Sequence, residues 1–521
     1  MKLVNMIEME SKVFLFIKDF TGRGSDSFYW FDGEKLSETD PNDIVSFRGA
    51  VVCHDFWMIR DVLFDKTGAL PNVVIDLDEF RISTSGIPGD RLAREKHDIT
   101  DALERYGAEP EVCSAYKRMF NKGIPFDLEI ATKAAVALAR MFLDLRAQAD
   151  GNGEAEQFFK IEVPVYRLLQ SAMAGGITID GRRLSKMRAE AEHDYFTLLK
   201  NYSAKHGMPL ETPNKSALEE KLRLDGFDLD DVSIEYLLDY VPHVRDFGSD
   251  TIALREADAA RRVLGSLTLS TKNTRPVLDV FGSRTSRIHM RSPSLQNIPR
   301  KFRGIVIPRK GAKLSYVDFD QFEVGIMAAL SEDAELLKLY AAGDMYDLFA
   351  ATHLGLLNNR KAAKQLFLSY AYGMSRKALV DAAVSLGADR PQAKAAFKLF
   401  KSYELWKESV YEQFRVNGSV ATLCGNHYRR DGSGALSGKE RRSTVSQVVQ
   451  GTGSLIFKKA LLSVGDLADV TIILPMHDAL LFEHMSADTP SKVVAAFEDA
   501  MTATLGGRVR GKASIGAFAA R

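Results

Sequence analysis

Tyr316-Val317-Asp318-Phe319-Asp320-Gln321-Phe322-Glu323 closes a short apolar, strand-like run that begins at Leu314. A second run, Ile472-Ile473-Leu474-Pro475-Met476-His477-Asp478, ends on another aspartate 160 residues after Asp318. Between them Arg360, Lys364, Leu368 and Tyr372 recur every four residues, so on a helix they line one face. That face is about 18 Å long, enough to address phosphates at one end and a base at the other. Taken singly, a strand-end aspartate is an ordinary turn or cap residue, and a cationic helix face is an ordinary solvated surface. Taken together, two carboxylates that hold a pair of Mg²⁺ ions and a helix that holds a triphosphate point to nucleotidyl transfer.

At 521 residues the chain exceeds one compact core, so two to four domains are expected. Its 45% hydrophobic and 26% charged residues are ordinary for a globular protein, and 69 basic residues balance 69 acidic ones. Charge is unevenly spread. Residues 1–130 hold 16 Lys/Arg against 24 Asp/Glu, whereas 271–310 hold ten basic residues and one acidic, Asp279. Such a basic stretch reads either as a solvated loop or as a phosphate-contacting surface. Cys53, Cys113 and Cys424 lack CxxC spacing and suit a reducing cytoplasm. The apolar run 13–17 is too short for a secretory segment, and no uncharged run approaches a membrane span, so a cytoplasmic protein without a membrane partner is expected.

Along the chain, residues 1–115 alternate strand-like runs (13–17, 50–53, 73–77) with turns and read as α/β. Alanine-rich 130–145 reads as a helix, and the polar Ala149-Asp150-Gly151-Asn152-Gly153-Glu154 as a break and domain boundary. Residues 163–269 read as mostly helical. A strand at 313, helices from Phe322 to about Gln413, a turn-rich 431–438 and a helix over 440–462 follow.

These segments carry a resemblance. Residues 316–323 resemble motif A of the family A DNA polymerases, relatives of bacterial DNA polymerase I. Arg360-Lys361-Ala362-Ala363-Lys364 with Tyr372-Gly373 resembles their motif B, and Met476-His477-Asp478 their motif C. Thr285-Ser286-Arg287-Ile288, continuing to Pro293-Ser294-Leu295-Gln296-Asn297-Ile298-Pro299, is a fourth match. Arg441-Arg442 through Gln450-Gly451-Thr452 is a fifth. The resemblance runs over roughly 160–521.

It implies a multidomain α+β protein with a right-hand polymerase fold. The thumb would span 160–272, the palm 273–330 and 426–521, and the fingers 331–425. It further implies template-directed addition of dNTPs to a primer 3′ end, in DNA replication, with primer–template DNA as partner and two Mg²⁺ as cofactors. Asp318 and Asp478 would be the catalytic aspartates, and with the Phe319 carbonyl they would hold the metals. Gln321, Glu323, Tyr346, Arg360, Lys364, Leu368 and Tyr372 would line the nucleotide. Arg287, Gln296, Asn297, Arg442, Gln450 and His477 would contact DNA. Amide and guanidinium groups suit the minor groove, where every base pair offers acceptors. Glu323 matches the steric gate that excludes a ribose 2′-hydroxyl, which favours dNTPs over the alternative of a single-subunit RNA polymerase. A catalytically silent DNA-binding accessory protein is the other alternative, and both retained aspartates oppose it.

Several positions depart from the family pattern. Leu368 replaces an aromatic residue near the sugar, and Tyr346 a histidine. Gly325 lacks an arginine, Ser446 an asparagine and Ala479 a second carboxylate. Residues 1–150 occupy the place of a ribonuclease H-like 3′–5′ exonuclease. Ala50-Val51-Val52-Cys53-His54-Asp55 and Asp127 faintly resemble its motifs. Lys18-Asp19-Phe20-Thr21, however, offers no Asp-x-Glu pair, and Ile59 stands where an aspartate belongs. That nuclease chemistry needs several converging carboxylates, so a degenerate, inactive domain is expected. The short domain content resembles phage-type members, which would place the protein in a host cytoplasm.

Overall fold

The computed structural model describes residues 10–19, 26–87, 98–122, 124–227, 229, 234, 237, 238, 244–269, 272–356 and 359–520. Phe20, Thr21 and Thr271, used above, lie outside them.

Ser11–Ile17 is the central strand of a five-stranded sheet. Ser27–Phe31 and Leu36–Glu38 extend it antiparallel on one side, and Ala50–Cys53 and Val73–Asp76 parallel on the other. Side chains alternate between faces along each strand. Val13, Leu15, Ile17, Val52 and Ile75 pack under the Leu128–Asn152 helix, whose Ala131, Ala134, Ala135 and Leu138 allow close approach. Phe14, Phe16, Phe28, Val51 and Cys53 face the other way, into a core continuous with the rest of the chain. The N-terminal sheet is therefore half of a shared core.

The helix expected over 130–145 runs from Leu128 to Asn152 and is closed by Gly153 at φ 72°. The stretch 149–154 is thus a last turn and cap, because a glycine inside a final turn is tolerated and only Gly153 takes the left-handed geometry. Asp127 caps the other end, its carboxylate accepting the Ile130 N–H at 3.0 Å. Glu154 is buried, and its carboxylate accepts the backbone N–H groups of Asn426 (2.6 Å) and His427 (2.8 Å) from the Ser419–Thr422/Gly425–Arg429 hairpin.

Two long helices, Gly181–His206 and Arg245–Ser266, pack along each other and carry a separate small core of Tyr195, Leu199, Tyr202, Leu218, Leu222 and Leu254. Beyond them lies a four-stranded antiparallel sheet ordered Thr471–Met476, Ala479–His484, Lys313–Phe319, Ala513–Gly516. The helices Gly438–Gly465 and Thr489–Thr504 pack on each other, and Phe457 and Phe319 both meet Phe497. A capping box formed by Ser437 and Glu440 starts the first of them.

Residues 334–356 and 359–417 form a helical layer around an aromatic core of Phe349, Phe367, Tyr370, Phe397, Phe400 and Tyr403. Phe367 meets Phe349 and Phe400 edge to face, with centroids 5.8 and 5.5 Å away, and has no exposed surface. Phe367→Ala leaves a cavity there and should cost about 3–5 kcal/mol. It is read as a lower urea midpoint with an unchanged slope.

Candidate active site

The register of the four-stranded sheet decides where the two aspartates lie. Asp318 pairs directly opposite Ala479. Ala479 also pairs with Met476 across a tight hairpin whose two turn residues are His477 and Asp478. Such turns need positive φ, and His477 takes it at 54°. Asp478 is thereby the immediate neighbour of the residue facing Asp318. Ala479, where the resemblance expects a carboxylate, is buried in that pairing.

The two charges are felt. Burial, then the charge of Asp478, then that of Asp320, pushes the Asp318 carboxyl up to about 6. Lys364 and the Phe319 N–H oppose the rise. Asp318, half-buried beside a second carboxylate and raised in proton affinity, is a place where a divalent cation would relieve the excess negative charge. Among the described residues no three His, Cys, Asp or Glu side chains converge on one point. Two aspartate carboxylates offer oxygen donors, which suit a hard ion that keeps several waters, as Mg²⁺ does.

Asn359 caps the helix Arg360–Ala371. Its face carries Arg360 and Lys364, whose cationic groups lie 5.4 and 5.9 Å from the centroid of the buried Tyr346 ring. Arg360 is engaged, donating through Nε (2.8 Å) and Nη2 (2.7 Å) to Asp344. Lys364 makes no ion pair among the described residues and lies close enough to Asp318 to lower its proton affinity. Leu368 is half-buried one turn on, and Tyr372 ends the helix before Gly373 at φ 95°. Burial, then the nearby charge of Glu323, pushes the Tyr372 phenol up.

Glu323 opens the helix Phe322–Ser331. Its Oε1 accepts from Arg287 Nη2 (3.3 Å) and from Gln450 Nε2 (3.2 Å). Burial pushes its carboxyl up, Arg287 holds it down, and Asp478 adds to the rise. The Ser446 hydroxyl donates to Gln450 Oε1 at 3.0 Å, which fixes the amide so that its N–H₂ faces Glu323. Gly325 stands where a Cβ would run into Met501 and Tyr340, so the space leaves no room for an arginine.

Two of the expected contact residues also hold the surrounding backbone. Gln296 is buried, and its amide is spent on the Met290 N–H and on the Ile288 and Pro475 carbonyls at 2.8–3.3 Å. It ties the 288–296 segment to the Asp478 hairpin, and both of its N–H groups are used in doing so. Gln321 commits one of its two N–H groups to Gly343 O (2.9 Å) and accepts from Met345 N–H (2.7 Å). Asn297 and Arg442 are exposed, and Asn297 donates to its neighbour Ser294 at 2.8 Å. Arg442 lines a pocket beside Gly373 with Arg376, Tyr411 and Arg441. Sequence reasoning missed Asp344 as the partner of Arg360 and Ser446 as the orienter of Gln450. The Asp-Met-Tyr-Asp run at 344–347 was the available sign of a capping carboxylate there.

In the N-terminal region the carboxylates are spent on structure. Asp76 caps the helix Leu77–Ser85 and accepts from Phe56 N–H (2.9 Å) and the Tyr166 hydroxyl (3.1 Å). Asp55 is bound by His54 (3.0 Å) and Trp57 Nε1 (2.9 Å), Asp127 caps a helix, and Ile59 is buried.

Residues 260–517 match the model of DNA polymerase family A. The chain is 26% identical over 364 residues to DNA polymerase I of Helicobacter pylori, covering 64% of this chain and 40% of that protein. It is 24% identical over 426 residues to that of Rhizobium leguminosarum (73% and 41%) and 24% over 525 residues to that of Streptococcus pneumoniae (88% and 57%). The chain thus spans about two fifths of the first two and under three fifths of the third. Its fold matches the POL domain of Pol1 from M. smegmatis, solved in complex with DNA primer-template and dNTP, with a TM-score of 0.70 and 20% identity. That match covers 94% of this chain and 91% of the other. The aspartate pair, the cationic helix and the four-stranded sheet all fall inside the matched residues, and residues 260–517 belong to DNA polymerase family A.

Proposed function

We propose that the protein is a template-directed DNA polymerase that adds dNTPs to a primer 3′ end, serving DNA replication. The observation that most supports this reading is the pairing of Asp318 with Ala479, which sets two carboxylates side by side beneath Lys364. In this reading the thumb is 160–272, the palm 273–330 and 426–521, and the fingers 331–425. Residues 1–150 are an exonuclease-like domain without activity, in keeping with the structural use of its carboxylates.

Asp318, Asp478 and the Phe319 carbonyl would hold two Mg²⁺, which when bound supply the positive charge that activates a 3′-hydroxyl and stabilises departing pyrophosphate. Lys364, and Arg360 once released from Asp344, bind the triphosphate and orient it in line with the primer end. Tyr372 and Leu368 flank the base and sugar. Glu323, locked by Arg287 and Gln450, fills the space of a 2′-hydroxyl.

Primer extension with dNTPs against rNTPs, followed over time for 3′ degradation, tests the whole reading. Extension from dNTPs with an undegraded primer is expected. Unprimed synthesis from rNTPs, or release of mismatched 3′ ends that Asp127→Ala abolishes, would overturn the corresponding part. Glu323→Ala should lower the preference for dNTP over rNTP by about tenfold to a hundredfold, with dNTP turnover less affected. An unchanged ratio removes Glu323 from sugar selection.

A further inference from the structure

Arg287 sits on a loop that is unusually constrained for a segment without regular structure. The strands Val277–Asp279 and His289–Ser292 pair, and the Gly282 N–H closes the loop on the Arg287 carbonyl at 3.0 Å. Ser286, just before Arg287, lies in the left-handed region at φ 59°, which disfavours a side-chain-bearing residue. Such a geometry persists only where the surroundings enforce it.

The surroundings here are two buried anchors. The first is an ion pair: Lys458 Nζ to Glu162 Oε2 at 2.6 Å, with side chains 0% and 4% exposed. The same ammonium donates to the Ser286 hydroxyl at 2.7 Å, and the Ser454 hydroxyl, one turn earlier on that helix, donates to the Ser286 carbonyl at 2.6 Å. Gln157 satisfies the other Glu162 oxygen at 2.7 Å. The second anchor comes from the N-terminal region, where the Glu79 carboxylate accepts the Val280 and Phe281 N–H groups at 3.1 and 2.9 Å. Burying an ion pair is a poor way to gain stability, since apolar residues of the same volume commonly do as well. What charge adds here is direction: the lysine's donors fix the rotamer of Ser286, and Ser286 aims Arg287 at Glu323.

We propose that Glu162 and Lys458, with Glu79 holding the same loop from the N-terminal sheet, are positioning residues for Arg287 on the primer–template. The N-terminal region then has a part in polymerisation without nuclease chemistry, because one of its carboxylates holds the loop that meets the primer. This rests on the reading of Arg287 as a primer–template contact.

The test uses the full chain and four variants. E162Q/K458M removes both charges together and keeps their volume. The others are E79A, R287A, and E162Q/K458M combined with R287A. Fluorescence anisotropy gives primer–template affinity without turnover, steady-state extension gives kcat and the dNTP KM, and thermal melting reports folding. Expected is a loss of about tenfold to a hundredfold in primer–template affinity for E162Q/K458M, E79A and R287A, larger in each than the change in the dNTP KM. The combined variant should lose no more than R287A alone, the non-additivity of groups that act through one another. Losses that multiply, an unchanged affinity, or a joint fall in melting temperature, kcat and dNTP binding would overturn the proposal. A wild-type chain that binds DNA but never extends it overturns the polymerase reading, and the anisotropy result still decides the positioning.

Discussion

Asp318→Asn and Asp478→Asn should each lower single-turnover primer extension by roughly 10³-fold or more while leaving primer–template affinity nearly unchanged. Each substitution keeps the shape and removes the charge, so the loss falls on the step where charge develops. Stability should move the other way. The Asp318 carboxyl is pushed up to about 6 by burial, Asp478 and Asp320, against an ordinary value of 3.8. A carboxyl with a raised folded value contributes stability below about pH 3.8 that is lost as pH rises through about 6. In EDTA, then, the Asp318→Asn variant should melt higher than wild type at pH 7–8, with the difference gone near pH 4. Higher stability beside lost turnover is the mark of a site strained for function. Extension within tenfold of wild type in either variant would remove that aspartate from the chemistry. A lower melting temperature at neutral pH would show that the pair is not in repulsion.

The backbone of this site was legible in the chain because it depends on local and periodic signals. Two apolar runs ending in aspartate become neighbouring strands, and side chains four residues apart share a helix face. What the sequence left open depends on partners far away along the chain. Gln296 looks like a free amide until Pro475, 179 residues on, takes its N–H. Gln321 bonds Gly343 and Met345 through one N–H and its oxygen. Glu154 reads as a linker carboxylate, yet it is buried against the hairpin N–H groups of Asn426 and His427. Composition shows an acidic excess over residues 1–130 but not where those carboxylates lie, and Asp76, Glu79 and, further on, Glu154 are buried and hydrogen-bonded. Hydrogen-bond partners across hundreds of residues have no periodicity, so no pattern along the chain announces them.

Lys364→Ala should lower kcat/KM for dNTPs by about 10²–10³-fold, and Arg360→Ala by clearly less. Both side chains stand on the same helix face, so spacing alone ranks them equally. Their surroundings separate them. Arg360 is held by Asp344 through two contacts of 2.7–2.8 Å, and to reach a phosphate it must leave a carboxylate behind. The gain on binding a triphosphate is offset by the ion pair given up. Lys364 forms no ion pair among the described residues and already lowers the proton affinity of Asp318, so its charge is aimed at the site before any substrate arrives. A preorganised charge costs no reorganisation at the moment of reaction, and this is where electrostatic catalysis is strongest. Asp344→Asn follows from the same argument: it weakens the hold on Arg360 and should tighten the dNTP KM while leaving kcat nearly as it was. Pre-steady-state incorporation of a single dNTP measures all three variants. An Arg360→Ala loss exceeding that of Lys364→Ala would mean that the Asp344 pair opens freely and that position on the helix, not prior engagement, sets the contribution of each cation.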